Sequence, residues 1–364
     1  MKICWENNTL IKGVSGIMRV KNDAEFIEEC IDSCIDALDE LIIVHNGCTD
    51  NSPLLIEKKR RQYSDKIRVF EYPYLVYGVG LSLDDYKKVV DLPEDSPHLL
   101  CNYYNFALSK VKYQYALKID ADQIYFKERL KEVCDICRSC EDICKNKKYF
   151  IGYCFNLYFR IYRYLCTRLK REIPVLFPQC VVRFFGSSYK AFSIYQFKKG
   201  RVCLSLSGVN VFYDKAWYVP LGGLGKTINI LPPFNGENDH ILFRVIPELY
   251  YRKFDTCYYN ILRSTNYSII EEFVHPYSYQ YYGFCWYHLN AMRNSCRALV
   301  KEEKHKQPSR FVSLKAFCQT EHSAIKDASD KRLYSLHQRI IFSLLYPVDY
   351  NNIIKYSHLL DQIF

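Results

Sequence analysis

Apolar and polar positions change their rhythm along the chain, and the changes predict its elements. Up to residue 125, short apolar runs alternate with stretches whose apolar residues recur every three or four positions, the pattern of a βαβ sheet. Strands are predicted at Gly13–Val20, Leu41–His45, Lys66–Tyr72 and Tyr113–Ile119, and helices at Ala24–Leu38, Pro53–Tyr63 and Leu99–Lys110. Each strand runs into a polar turn at its carboxyl end, the edge at which open α/β sheets bind ligands. Beyond Lys145 the rhythm is less regular. Val181–Phe185 and Val202–Phe212 read as strands, Val219–Asp239 as a long loop rich in Gly, Pro and Asn, and the tail after Gly283 as helical.

Composition narrows the class. The 364 residues are 49% hydrophobic and 25% charged, which suits a globular protein and excludes extended disorder. The net charge of +10 favours anionic partners without the density of a nucleic-acid coat, so no nucleic-acid partner is expected. Most unusual is Lys145–Arg171, with eight Lys/Arg, no Asp or Glu, and eight aromatic residues. Such a run suits an anionic membrane surface or lipid diphosphate; a solvated helix with its aromatics in the core is the plainer alternative. No stretch is long and apolar enough to span a bilayer, and Met1–Asn8 carries no secretory core, so the expected location is cytoplasmic, peripheral on the inner face of a membrane.

Seventeen cysteines, an odd number, read as reduced thiols. Cys134, Cys137, Cys140 and Cys144 have the spacing of an iron–sulfur loop, but Leu130, Val133 and Cys137 recur at helical intervals, and a core helix is expected. Gly222–Thr227 looks like a phosphate-binding loop, yet its first glycine is replaced by Pro220, which has no N–H to offer. A glycine-rich rim is the better reading.

Asp120-Ala121-Asp122 closes the fourth apolar strand, so two carboxylates can turn toward one hard cation, Mg²⁺ or Mn²⁺; aspartates at a strand end also serve as turn residues. Three segments then follow in a fixed order: Gly16–Asp23, Ile42–Ser52 and Asn105–Asp122. Together they resemble family 2 glycosyltransferases of the GT-A fold, particularly bacterial members that build surface polysaccharides. The resemblance is good over residues 13–126 and loose over 180–245. It implies an α/β protein with a GT-A type, Rossmann-like mixed sheet flanked by helices; the tail, which the resemblance hardly covers, reads by its periodicity as a helical C-terminal extension. The resemblance further implies a glycosyltransferase domain at 1–282, with a nucleotide-binding half at 1–126 and an acceptor half at 127–282, and leaves the extension at 283–364.

The implied activity is metal-dependent, inverting transfer of a sugar from a nucleotide-sugar donor to a surface glycan or lipid-linked acceptor. Donor-binding candidates are Arg19, Asn22, His45, Asn46, Asn105 and Asp120; the metal candidates are Asp120, Asp122 and His288. His45 and Asn46 stand where many relatives carry acids, although the Asn46 amide oxygen can still accept from a base N–H. Relatives place the catalytic base in an acidic loop well after D-x-D, which makes Asp239 the first candidate and Glu237 the second. Arg183 is a candidate for pairing with phosphate, and His275 a weaker metal candidate. Phe284–Leu289 reads more simply as an amphipathic helix with a packed His288. The rival function is a catalytically silent nucleotide-sugar or glycan-binding scaffold on the same sheet.

Overall fold

A computed structural model describes residues 10–139, 145–171, 173, 179–221, 223–224, 229–230, 233–236, 238–256, 267–319, 340, 344–345 and 349–363. The chain divides into two compact units, Met1–Ser139 with Leu242–Tyr277, and Cys140–Ile241 with Ser278–Phe364.

The first unit runs β1 (Ile11–Val20), α1 (Ile27–Cys34), β2 (Glu40–His45), α2 (Ser52–Gln62), β3 (Ile67–Glu71), β4 (Val79–Leu81), α3 (Leu83–Val90), α4 (Leu100–Leu108), β5 (Tyr113–Ile119), β6 (Gln123–Tyr125) and α5 (Lys127–Arg138), as the sequence predicts except for β4, α3 and β6. Strands β3, β2, β1 and β5 lie side by side and parallel, and Leu242–Arg244 adds an antiparallel neighbour to β5. Helices α2, α4 and α5 pack on these strands. The central strand β1 is buried from Gly13 to Met18, and its apolar residues Val14, Ile17 and Met18 lie in that stretch. Successive strands step outward from β1 to β3, then the chain returns to the other side of β1 as β5. That reversal makes a switch point between the carboxyl ends of β1 and β5.

A second, antiparallel sheet in this unit joins β4, Tyr267–Val274 and Tyr250–Thr256. It covers α3 and α4 through a cluster that includes Leu81, Val89, Leu99 and Ile269.

In the second unit, α6 (Lys147–Leu169) packs along α7 (Gln179–Lys198). Asn146 caps α6, accepting from the Tyr149 N–H at 3.0 Å, and Lys170 ends it in the left-handed region at φ 52°. Strand β7 (Val202–Asn210) runs parallel to Ser278–His288. Helix α8 (Asn294–Lys306) and shorter helices at Leu314–Gln319 and Tyr350–Lys355 supply the helical character of the tail.

Three readings of local structure need correction. Val181–Phe185 is helical, part of α7, because Tyr189, Phe192 and Phe197 continue a helical stripe whose burial outweighs the β preference of Val and Phe. Phe284–Leu289 belongs to a strand instead of a helix up to His288: Tyr281–His288 is buried throughout, and an unbroken apolar run carries no period to tell the two apart. Within Val219–Asp239, short strands form at Trp217–Pro220, Gly223–Leu224, Asn229–Ile230 and Phe234–Asn235. Cys134 and Cys137 are buried on α5 and form no disulfide; Cys140, Cys144 and most of the glycine-rich rim lie outside the described residues.

Candidate functional site

Strand register brings the first unit's candidates to one edge. Met18 pairs with Ile119 and Val20 with His45, so Arg19 and Asp120 leave adjacent strands at one level, with His45 and Asn46 on the next. The Tyr103 hydroxyl ties these ends together, donating to the Val44 carbonyl at 2.6 Å and accepting from the Val20 N–H at 3.3 Å.

Arg19 lies over the Tyr104 ring, its guanidinium carbon 3.0 Å from the centroid, and its Nη2 stands 3.9 Å from Asp120 Oδ1. Burial works against the Arg19 charge, but the neighbouring Tyr104, Glu271 and Asp120 outweigh it and hold the guanidinium firmly protonated. Burial likewise pushes the Tyr104 phenol far up, against the pull of Arg19 and Lys118, so it stays neutral. Lys118 Nζ sits 5.8 Å from the same ring. Tyr103 and Tyr104 are adjacent on α4, and the sequence does not show which of the two takes the cation.

Asp122 is buried and Asp120 is partly exposed, its side chain 33% accessible. Asp120, partly open to solvent at the strand end, offers a hard oxygen ligand of the kind that suits Mg²⁺ or Mn²⁺ and leaves room for water or phosphate; Asp122 follows two residues on. The Asp120 N–H donates to Gln123 Oε1 at 3.3 Å, which fixes the turn between the two acids.

Asn46 is buried and gives both amide N–H groups to carbonyls, Tyr72 at 2.7 Å and Tyr74 at 2.6 Å. Because both partners are carbonyl oxygens, the amide nitrogen must face them, which turns Oδ1 the other way as an acceptor. Asn22 bonds Thr49, whose N–H donates to Asn22 Oδ1 at 2.8 Å, and it adopts φ 60°. Asp50 accepts from the Ala24 and Ser52 N–H groups, both at 3.0 Å, and thereby ties the β2–α2 turn to the turn after β1. Its carboxyl sits below the ordinary range: partial burial would raise it, and the Ser52 and Ala24 donors overcome that.

Asn105 is placed differently from a ligand-facing residue. Its amide accepts from the Tyr251 N–H at 2.7 Å and donates to the Tyr251 carbonyl at 2.8 Å, clamping α4 to the strand Tyr250–Thr256. Burial lowers the His275 pKa, and its Nδ1 accepts from the Tyr277 N–H at 3.1 Å.

In the second unit Asp239 is exposed, and its Oδ2 stands 3.4 Å from Nδ1 of buried His240. The turn before it needs glycine at 236: φ is 90°, and a Cβ there would meet Trp286 at 2.4 Å. Trp286 anchors the same turn by donating to Asn235 Oδ1 at 2.9 Å. Glu237 lies outside the described residues, and so does the side chain of Arg183. His288 is buried with Nδ1 2.5 Å from Asn210 Oδ1. His240 escaped the sequence reading, although it directly follows Asp239.

Residues 15–80 match the family model described as Glycosyl transferase family 2. The chain thus resembles that family in the segment that builds β1 to β4 and carries Arg19, Asn22, His45 and Asn46. Among solved structures it is similar to TarS from S. aureus in complex with UDP, at 22% identity over 34% of this chain and 31% of that one, with a TM-score of 0.23. It is also similar to glucosyl-3-phosphoglycerate synthase from Mycobacterium tuberculosis in complex with Mn²⁺, UDP and glucosyl-3-phosphoglycerate, at 19% identity over 31% of this chain and 34% of that one, TM-score 0.20. The chain spans about a third of the length of these structures. No curated protein matches it.

Proposed function

We propose that this protein is a divalent-cation-dependent, inverting glycosyltransferase that moves a sugar from a nucleotide-sugar donor to a surface glycan or lipid-linked acceptor. The observation that carries the reading is the alignment of Arg19, Asn46 and Asp120 at the carboxyl edge of β1, β2 and β5, with Asp122 two residues beyond Asp120. Asn46 Oδ1 would accept from a base N–H, and Arg19 would face the diphosphate. Asp120 and Asp122 are the residues that would hold Mn²⁺ or Mg²⁺, which when bound offsets the charge of the departing diphosphate. Asp239 takes the proton from the acceptor hydroxyl while the new C–O bond forms and the bond to the diphosphate oxygen breaks. One displacement of this kind inverts the anomeric carbon.

The lipid-linked acceptor and the anionic membrane surface are supported by α6. Its inner face buries Tyr149, Phe155, Phe159, Tyr162 and Cys166, and its outer face leaves Phe150, Tyr153, Leu157, Ile161 and Tyr164 between 45% and 66% exposed. An apolar stripe at helical spacing, set in a run without acids, has the form of an interfacial helix. No helix among the described residues is long and apolar enough to cross a membrane.

The test is thermal stabilisation by a panel of nucleoside diphosphates with and without Mn²⁺, paired with turnover of the donor that responds. A ligand that binds the native state raises its melting temperature, and Asp122→Asn should remove the Mn²⁺-dependent part and the turnover together. Full turnover in excess EDTA, or in Asp122→Asn, would refute the assignment.

A further inference from the structure

The second unit contains a cavity of about 400 Å³, within the range of ordinary small-molecule pockets. Arg160 and Arg163, one turn apart on α6, form part of its wall, and none of the residues lining it is Asp or Glu. Among the described residues neither arginine has an ion-pair partner, so both guanidinium forks remain available. The remaining wall is neutral. Buried Phe159 and Tyr189 contribute ring surface, and Asn156 and Gln280 contribute amides. The Tyr189 hydroxyl donates to Gln280 Oε1, which leaves the Gln280 amide N–H groups as donors.

Asn238 also lines this cavity. Its N–H donates to Ser205 Oγ at 2.9 Å, and its backbone is held in the left-handed region at φ 60°. The next residue is Asp239, so the wall of the cavity and the proposed base share one constrained turn.

We propose that this cavity is the acceptor site and that it takes a phosphorylated sugar or polyol, with the phosphate on Arg160 and Arg163 and the hydroxylated ring against Phe159, Tyr189 and Gln280. Its role as acceptor site rests on the glycosyltransferase reading; the anion site itself does not. Guanidinium forks match phosphate oxygens two at a time, which an ammonium cannot do. A cavity with two cations and no acid discriminates against the uncharged form of the same sugar.

The experiment uses the full chain and measures melting temperature and calorimetric binding with glucose 6-phosphate, glucose and inorganic phosphate. Glucose 6-phosphate should give a saturable stabilisation, inorganic phosphate a weaker one, and glucose at the same concentration none. Arg160→Gln with Arg163→Gln should weaken glucose 6-phosphate at least about tenfold, while the paired Lys variant keeps part of the affinity. Both arginines are exposed, so an unchanged ligand-free melting temperature will confirm that the variants fold. Vesicles containing phosphatidic acid distinguish the source of the phosphate: capture that needs both arginines, without a response to glucose 6-phosphate, overturns the sugar phosphate as ligand and places the phosphate on a lipid. Equal binding of glucose and glucose 6-phosphate, or full binding by the double Gln variant, overturns the proposal. The wild-type response to nucleoside diphosphate with Mn²⁺ is scored separately. If it fails while glucose 6-phosphate still binds, the enzymatic reading falls and the anion site stands.

Discussion

The guanidinium of Arg19 lies 3.0 Å above the ring centroid of Tyr104, and this pair sets the charge at the switch point of the sheet. A planar cation on an aromatic face is fixed in direction as well as in sign. Arg19→Ala should therefore weaken nucleoside diphosphate binding about tenfold or more in the presence of Mn²⁺, equivalent to about 1.4 kcal/mol. Arg19→Lys, which keeps the charge but loses the stacking plane, should fall between. Isothermal titration decides it; unchanged affinity in Arg19→Ala would show that the cation serves the fold alone.

Asp239 is exposed at the end of a turn that Trp286 and Gly236 hold in shape, so its carboxylate can be neutralised without disturbing the core. Asp239→Asn should lower kcat by about 10² or more with donor affinity retained. Should Glu237→Gln be the inactive variant instead, the role of base moves to Glu237. Activity in both variants removes this turn from catalysis.

Asn105 is buried and makes a reciprocal pair of hydrogen bonds with the backbone of half-buried Tyr251. Asn105→Leu removes the partners of the Tyr251 N–H and carbonyl at once. The expected loss is about 1 kcal/mol or more in urea unfolding, since water can replace only part of what a half-buried group loses. A neutral substitution would mean that the strand Tyr250–Thr256 does not depend on this clamp.

Asp50 supplies a pH dependence with a definite sign. Its folded carboxyl pKa is lowered below the unfolded value of about 3.9, so its contribution to stability is complete above that pH and is lost as pH falls through the lower, folded value. The stability difference between wild type and Asp50→Ala should be constant near neutrality and shrink in strong acid. Thermal melts of the two proteins across that range provide the measurement, and a difference that grows on acidification would contradict it.

Leu157, Ile161 and Tyr164 project from α6 on its solvent face, in a segment with eight positive charges and no acid. The protein should sediment with vesicles containing anionic lipid at low salt, and should be released partly as the screening length shrinks to about 3 Å at 1 M. Replacing the three apolar residues by Ser should abolish binding while leaving the α6 core positions intact. Equal binding to neutral and anionic vesicles would argue against the electrostatic half of this reading.

The strands β1, β2, β3 and β5, the helices between them except α3, the polar turns at strand ends and the D-x-D pair were legible in the sequence, because each depends on local periodicity or on residues close in the chain; β4 and α3 were not. Periodicity failed where burial is two-sided, as in Tyr281–His288, and where tertiary contact overrode propensity, as in Val181–Phe185. The clamp between Asn105 and Tyr251 joins residues 146 positions apart, and the return of Leu242–Tyr277 to the first unit is equally non-local. Arg160 and Arg163 read in sequence only as part of a basic run. That they wall a cavity with Gln280, a strand residue more than a hundred positions away, was decided by packing of α6 against α7 and the strand beyond it. Sequence fixes which groups a chain carries and how neighbours alternate; the distances between groups far apart in the chain come from how the buried faces close on one another.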